Sequence, residues 1–310
     1  MTDSPYSPIP HKPIHPSLQF LILLGLVIFV IIIGNIIAGA VIYASFGMDT
    51  LTDVSRLNIT SERTLNAMWM LQLLGTTLPL LVTPVFFSYI IVREPDEYLK
   101  TTFHFPWTLI VIAFLVMIVS SPFMEFIGNF NQGLNLPQWM RDEENTIEKA
   151  SNSMMQMKSL GTMLFNLAFI GFVTAVAEEF LFRGALQTIL IRWFRNKHVA
   201  IWVTAILFSA FHMEFFGFIP RLMLGLFFGY FTAWSGSIWP SIWAHFVNNG
   251  SIVVLNYLAQ QKIINLDLND QHMFNTTFYI ISAVITLFLL FVYQNMSNKR
   301  QTEDHGEELG

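Results

Sequence analysis

The chain has 310 residues, 54% of them hydrophobic and only 12% charged, with thirty Phe and eight Trp. A soluble domain of this size carries about twice that charged fraction, so the composition is that of a polytopic membrane protein. The net charge of −5 comes with no basic stripe for nucleic acid, and the absence of Cys excludes disulfides, thiolate metal sites, cysteine nucleophiles and lipidation through sulfur.

Residues 1–16 hold five prolines and read as a solvated tail without a compact basic region. The apolar run that follows is too long for a signal-peptide core and reads as a retained anchor. Hydropathy then gives eight candidate spans, near 18–45, 67–92, 106–128, 161–185, 199–214, 219–234, 238–258 and 274–294. The expected fold is therefore an all-α integral membrane protein with about eight transmembrane helices in one bundle. It divides into the tail 1–16, helices with loops over 17–159, a helical core over 160–258, a last loop and helix over 259–295, and a polar, disordered tail over 296–310.

Lys and Arg in the connections set the orientation. Lys12, Arg93, Lys100, Arg192, Arg195, Lys197, Lys299 and Arg300 fall on one side. Arg56, Arg63, Arg141, Lys149, Lys158 and Lys262 fall on the other, mostly mixed with acids. The cluster Arg192–Lys197 has no acidic residue. It places this loop and both termini in the cytoplasm of a bacterial cytoplasmic membrane, with the functional site expected to open toward the same side.

Within the fourth span the stretch AVAEEFLFRGAL (residues 175–186) carries the only charges between Gly161 and Ile191, namely Glu178, Glu179 and Arg183. Glu179 and Arg183 are four apart and share a helix face, so they can pair. Glu178 is rotated about 100° from Glu179 and needs a partner from another helix or a proton. A carboxyl whose protonation is set by its surroundings is the raw material of general acid–base chemistry. His212 ends the fifth span, and His245 and Asn249 lie one turn apart on the seventh. Measured from the basic loop at ~1.5 Å per residue, Glu178 and His212 both lie roughly 20 Å deep. His245 lies roughly 15 Å past the same-side turn 235–237 on the same arithmetic. Each feature alone also fits helix packing: an ion pair locking helices, a satisfied membrane histidine, an interhelical hydrogen bond. Together they point to one site. Glu125 reads as interfacial, and Arg221 either anchors at the interface or pairs with Glu214.

Glu178-Glu179-xxx-Arg183, Phe208-xxx-His212 and His245-xxx-Asn249, in this order on successive membrane helices, resemble the CPBP family of CAAX proteases and bacteriocin-processing enzymes, also called the Abi group. The glycine-containing stretch Leu224–Pro240 also looks like the family's helix and short turn. The resemblance covers about 160–258 and implies an intramembrane endopeptidase acting on a membrane-associated peptide or protein. By that resemblance Glu178, with His212, activates water; Glu179 and Arg183 hold the helix; His245 and Asn249 donate to the oxyanion. A zinc ion on Glu178 or Glu179 with His212 and His245 would make it a metalloprotease. No cofactor is preferred, because no H-E-x-x-H pair is present and a ligand role would withdraw His245 from Asn249. A proton-coupled transporter and a catalytically silent immunity or scaffold protein are the rival readings; the lack of an inverted repeat speaks against the first, the full motif set against the second.

Overall fold

The computed structural model describes residues 14–265 and 273–307. The proline-rich tail up to residue 13, with Lys12, lies outside the described residues. So do the side chains of Lys299 and Arg300.

Every described element is a helix. The first, α1 (Pro16–Phe46), begins where Pro16 occupies the first turn, a position whose N–H has no intrahelical partner anyway. Its 31 residues reach beyond a hydrocarbon core of about 30 Å, and Ile28, Phe29, Ile32 and Ile36 stand exposed on its outer face. A short amphipathic helix α2 (Met48–Ser55) turns the chain into α3 (Glu62–Val92), which starts on a capping box between Ser61 and Thr64. Pro79 and Pro84 lie inside α3, and π-helical turns at 72–77 and 87–92 bracket them. Such turns relieve the carbonyls that a proline cannot engage.

After α4 (Pro95–Leu99), the third hydrophobic run folds as α5 (Thr108–Val119) and α6 (Ser121–Gln132), bent by 47° at Ser120 and Pro122. Next comes α7 (Gln138–Met154), acidic on its outer face, followed by α8 (Leu160–Phe194), which opens on a second capping box between Ser159 and Thr162. Then follow α9 (Lys197–Phe211), α10 (Phe218–Ser235), α11 (Trp239–Gln260) and α12 (Thr276–Glu307).

The eight hydrophobic runs each fall on a helix, or on the bent pair α5–α6. By length and hydropathy, however, four helices qualify as spans, and the bent pair makes a fifth. Helix α9 has 15 residues, about 22 Å of rise, which is less than a bilayer core. Helix α12 continues past residue 295 to Glu307. No Pro and no Gly before Gly306 interrupts it.

Two cores hold the bundle. One joins α1, α3, α8 and α9 through Leu23, Leu80, Phe87, Phe182, Ile189 and Phe208. The other joins α5, α10, α11 and α12 through Leu109, Val116, Phe228, Phe231, Val247 and Tyr293.

One end of the molecule gathers the start of α1, the 93–107 connection, the 192–198 loop and the turn before α11. Gln19 accepts from the Tyr98 hydroxyl, Phe20 packs on Trp193, Arg192 pairs with Glu94 at 2.8 Å, and the Ile238 N–H donates to the Lys100 carbonyl at 2.9 Å. Burial there pushes the Tyr98 phenol up and holds the Lys100 ammonium below its usual value. At the other end, Glu144 of α7 accepts the Phe215 N–H at 2.7 Å, and Gln260 accepts the Met157 N–H at 2.8 Å.

Candidate active site

The motif stretch of α8 is not a uniform α-helix. Residues 174–179 are α-helical between π-helical segments at 167–173 and 180–186. A π turn rotates the side chains that follow it, and such turns recur at functional sites. Here the α-helical island is the part that carries both glutamates.

Glu179 and Arg183 are fully buried and joined at 2.9 Å. The guanidinium is a fork that one carboxylate cannot satisfy. Its Nη2 donates to the Gly225 carbonyl at 3.1 Å, and its carbon lies 4.3 Å from the Phe208 ring centre and 5.3 Å from that of Phe228. One turn further along α8, Gln187 repeats the contact, donating to the Gly229 carbonyl at 3.0 Å. Both glycines lie where α10 packs closely on α9. A Cβ on Gly225 would stand 3.0 Å from the Ala205 Cβ, and one on Gly229 would stand 2.8 Å from Ile201 Cγ2 and 2.9 Å from Gln187 Oε1.

Glu178, on the other face, has its Oε2 buried without a hydrogen-bond partner. Two imidazoles look at that oxygen. The Nε2 of His212 is 3.7 Å away and the Nε2 of His245 is 3.8 Å away. Both far nitrogens are held: His212 Nδ1 lies 2.9 Å from the Phe208 carbonyl, and His245 Nδ1 lies 2.9 Å from Glu179 Oε1. A carbonyl only accepts, so His212 carries its proton on Nδ1 and turns a bare Nε2 toward Glu178 when neutral. A Glu179 carboxylate imposes the same tautomer on His245. The Nε2 of His245 can therefore donate only once the ring holds two protons. The ring also stacks on Phe228 at 4.8 Å and 17°.

Asn249 is one turn beyond His245. Its Nδ2 donates to the Ile170 carbonyl in the first π segment at 3.3 Å, and its Oδ1 accepts from Asn248 at 3.1 Å. Glu178, His212, His245 and Asn249 line one cavity of about 770 Å³, together with Trp69 of α3 and Ile147 of α7. All six motif residues thus converge from α8, α9 and α11, with Glu179 and Arg183 behind the cavity wall.

Two corrections follow. The cavity lining includes Leu57, Ser151, Glu214 and Gly217, and no residue of the 93–107, 192–198 or 235–238 connections. It opens at the end opposite the basic loop, because His212 closes the far end of the helix that Lys197 begins. The zinc set is not formed either. Glu179 has turned to Arg183 and His245, and among the described residues no three His, Asp or Glu side chains are grouped so as to hold a metal ion.

Arg221 pairs with Glu214 on the cavity wall, and Glu125 accepts from the Tyr279 hydroxyl at 2.8 Å rather than facing the interface alone. Sequence reasoning missed Phe228, Gln187 and the two glycines. The only signal was Gly225 and Gly229 one helical turn apart, matching the spacing of Arg183 and Gln187.

An all-α integral membrane bundle with buried carboxylates and imidazoles around an intramembrane cavity is the class this architecture defines. Residues 160–251 match the family described as type II CAAX prenyl endopeptidase Rce1-like, which bears out over that segment the resemblance carried by the motifs. The chain is also similar to the uncharacterized protein YpbD of Bacillus subtilis (strain 168), 29% identical over 111 residues. That region is 34% of this chain and 52% of YpbD, so the chain spans about half the length of that relative. No solved structure matches the chain.

Proposed function

We propose that the protein is an intramembrane endopeptidase that hydrolyses a peptide bond in a membrane-associated peptide or protein, with Glu178 as the general base. The observation that carries this reading is the unpartnered Glu178 Oε2, buried in the cavity between two imidazole nitrogens at 3.7 and 3.8 Å.

Those separations are too long for direct hydrogen bonds and leave the oxygen open to a water from the cavity. A water seated in the cavity beside Glu178 and His212 donates one proton to the carboxylate and turns the other toward the bare Nε2. That orients its lone pair toward a carbonyl carbon. As the oxygen attacks, Glu178 takes the proton and a tetrahedral oxyanion forms. Asn249 keeps one N–H beyond the bond to Ile170, and a doubly protonated His245 supplies a second donor from the same helix face. Donors fixed before the charge develops stabilise it most. When the C–N bond breaks, the proton held by Glu178 passes to the leaving amine, which regenerates the carboxylate.

Glu179 then has two tasks. It neutralises Arg183, and it holds the Nδ1 proton of His245 so that Nε2 faces the cavity. His245⁺ and Arg183⁺ stand against Glu178⁻ and Glu179⁻, which makes the buried cluster neutral as a set.

A proteomic comparison tests the reading. Cells carrying the wild-type protein should release membrane peptides with new termini that cells carrying Glu178→Gln do not release. Identical peptide sets from the two strains would remove the basis for a hydrolase.

A further inference from the structure

One wall of the cavity comes from α3, outside the residues 160–251 that match the family. Met68, Trp69, Gln72 and Thr76 line it beside Glu178, His212 and His245. Steps of one and four along a helix keep residues on one face, so α3 offers the cavity a single stripe. Trp69 fixes that stripe against α8, its ring edge-on to those of Phe165 and Phe169 at 5.1 Å from each.

Gln72 is exceptional in this helix. From Ala67 to Val92 it is the only side chain that carries a carboxamide or a charge. An amide in an apolar span costs free energy unless it is hydrogen-bonded, and spans turn such groups toward a neighbouring helix or a site. Asn35 of α1 shows the first solution, donating to the Ile31 carbonyl at 2.9 Å and to the Gly75 carbonyl of α3 at 3.0 Å. Gln72 does not follow it. Among the described residues neither its carboxamide nor the Thr76 hydroxyl has a hydrogen-bond partner. A helical Thr often bonds the carbonyl four residues back, as Thr50, Thr52 and Thr204 do, but Thr76 leaves its hydroxyl uncommitted.

Both residues belong to the π turn 72–77, which packs on the α-helical island 174–179 that carries the two glutamates. A π turn beside a site is a recurrent functional feature. The remaining wall is largely apolar, with Trp69, Phe169, Phe208 and Leu224. A peptide must be extended for its scissile carbonyl to reach Glu178, and an extended segment has given up its own helical hydrogen bonds. Its N–H and C=O groups then need partners from the wall. A carboxamide carries the same donor and acceptor as a peptide unit.

We propose that Gln72, assisted by Thr76, binds the main chain of an extended substrate segment, its carboxamide pairing with the N–H and C=O groups of a peptide unit beside the scissile bond. The proposal rests on the hydrolase reading and gives α3 a substrate-binding role. Recognition through the backbone reads no side chain, so sequence preference falls to the apolar part of the wall.

Gln72→Met keeps the side-chain length and removes the amide. Because that amide bonds nothing within the protein, the variant should unfold in detergent at or above the wild-type temperature. With a peptide released in the proteomic comparison, Gln72→Met should raise KM about tenfold and leave kcat within about twofold. Binding of the same peptide to Glu178→Gln protein should weaken about tenfold when Gln72→Met is added. Esters replacing one peptide amide at a time locate the contact: the ester that weakens binding to Glu178→Gln should weaken it no further in the double variant. A lowered unfolding temperature in Gln72→Met, an unchanged KM, or a loss confined to kcat would each overturn the proposal. Wild-type protein that binds the peptide without cleaving it would fail the hydrolase reading and leave the binding comparison to decide this one.

Discussion

Glu179 and His245 meet at 2.9 Å through the same carboxylate oxygen, Oε1, that Arg183 reaches at 2.9 Å. One buried oxygen thus serves both the ion pair that locks α8 and the imidazole that faces the cavity. The second oxygen of Glu179 is buried without a partner. Structure and chemistry are coupled at this atom, and the first prediction follows from it.

Removing either member of the pair strands a charge where no water reaches. Arg183→Gln and Glu179→Gln should each destabilise the protein by about 3–5 kcal/mol. The double variant should cost less than the sum of the two, because the charges leave together. Thermal unfolding in detergent, followed by tryptophan fluorescence, measures this. Additive losses would mean that the pair is not energetically coupled.

The close approach of α10 to α8 and α9 predicts an overpacking penalty. Gly229→Ala puts a methyl into Ile201 and Gln187, and Gly225→Ala puts one into Ala205, each at a cost of roughly 1–3 kcal/mol. Ala205→Gly should relieve the Gly225→Ala variant in part, since the Ala205 Cα stays 3.1 Å away, and leave Gly229→Ala unchanged. The same unfolding assay reads all four, and failure of that selective rescue would contradict the packing described here.

Phe228 should matter to turnover more than its distance from any reacting atom suggests. It stacks on His245 and lies 5.3 Å from the guanidinium carbon of Arg183. Phe228→Leu keeps much of the apolar volume and loses both ring interactions, each worth on the order of 1 kcal/mol. The expected result is a fall in kcat of about tenfold with KM nearly unchanged. Equal loss in both parameters would assign Phe228 to substrate binding instead.

The donor geometry also bears on metal dependence. With Glu179 committed to Arg183 and His245, chelation followed by gel filtration should leave Glu178-dependent cleavage unchanged. Activity lost on chelation and regained with stoichiometric zinc would show that the side chains regroup around an ion.

The convergence of the six candidate residues was legible because their cost was legible. In a run as apolar as 161–191, three charges have few explanations, and helical spacing separates the paired Glu179 from the unpaired Glu178. Residue counting along straight helices also placed His212 and His245 level with Glu178, and both lie within 3.8 Å of it. It did not reveal that Glu179 reaches His245 as well, since that contact joins residues 66 apart in sequence. The π segments flanking the motif were invisible, because nothing in Leu-Ala-Phe-Ile-Gly-Phe-Val distinguishes them from α-helix. The direction of the cavity was misread for a related reason. Charge in a loop speaks for the side that loop occupies, but not for the end of the bundle at which the helices part.

Glu178 carries the central claim, and a neutral isostere tests it. Its Oε2 has no hydrogen-bond partner, so Glu178→Gln breaks no hydrogen bond, and thermal unfolding of the variant reads whether the fold is kept. The decisive measurement is the rate at which purified wild-type and Glu178→Gln proteins hydrolyse a peptide found by the proteomic comparison. The account predicts a loss of about 10²–10⁴-fold in kcat for the folded variant. Hydrolysis by Glu178→Gln at the wild-type rate would contradict it.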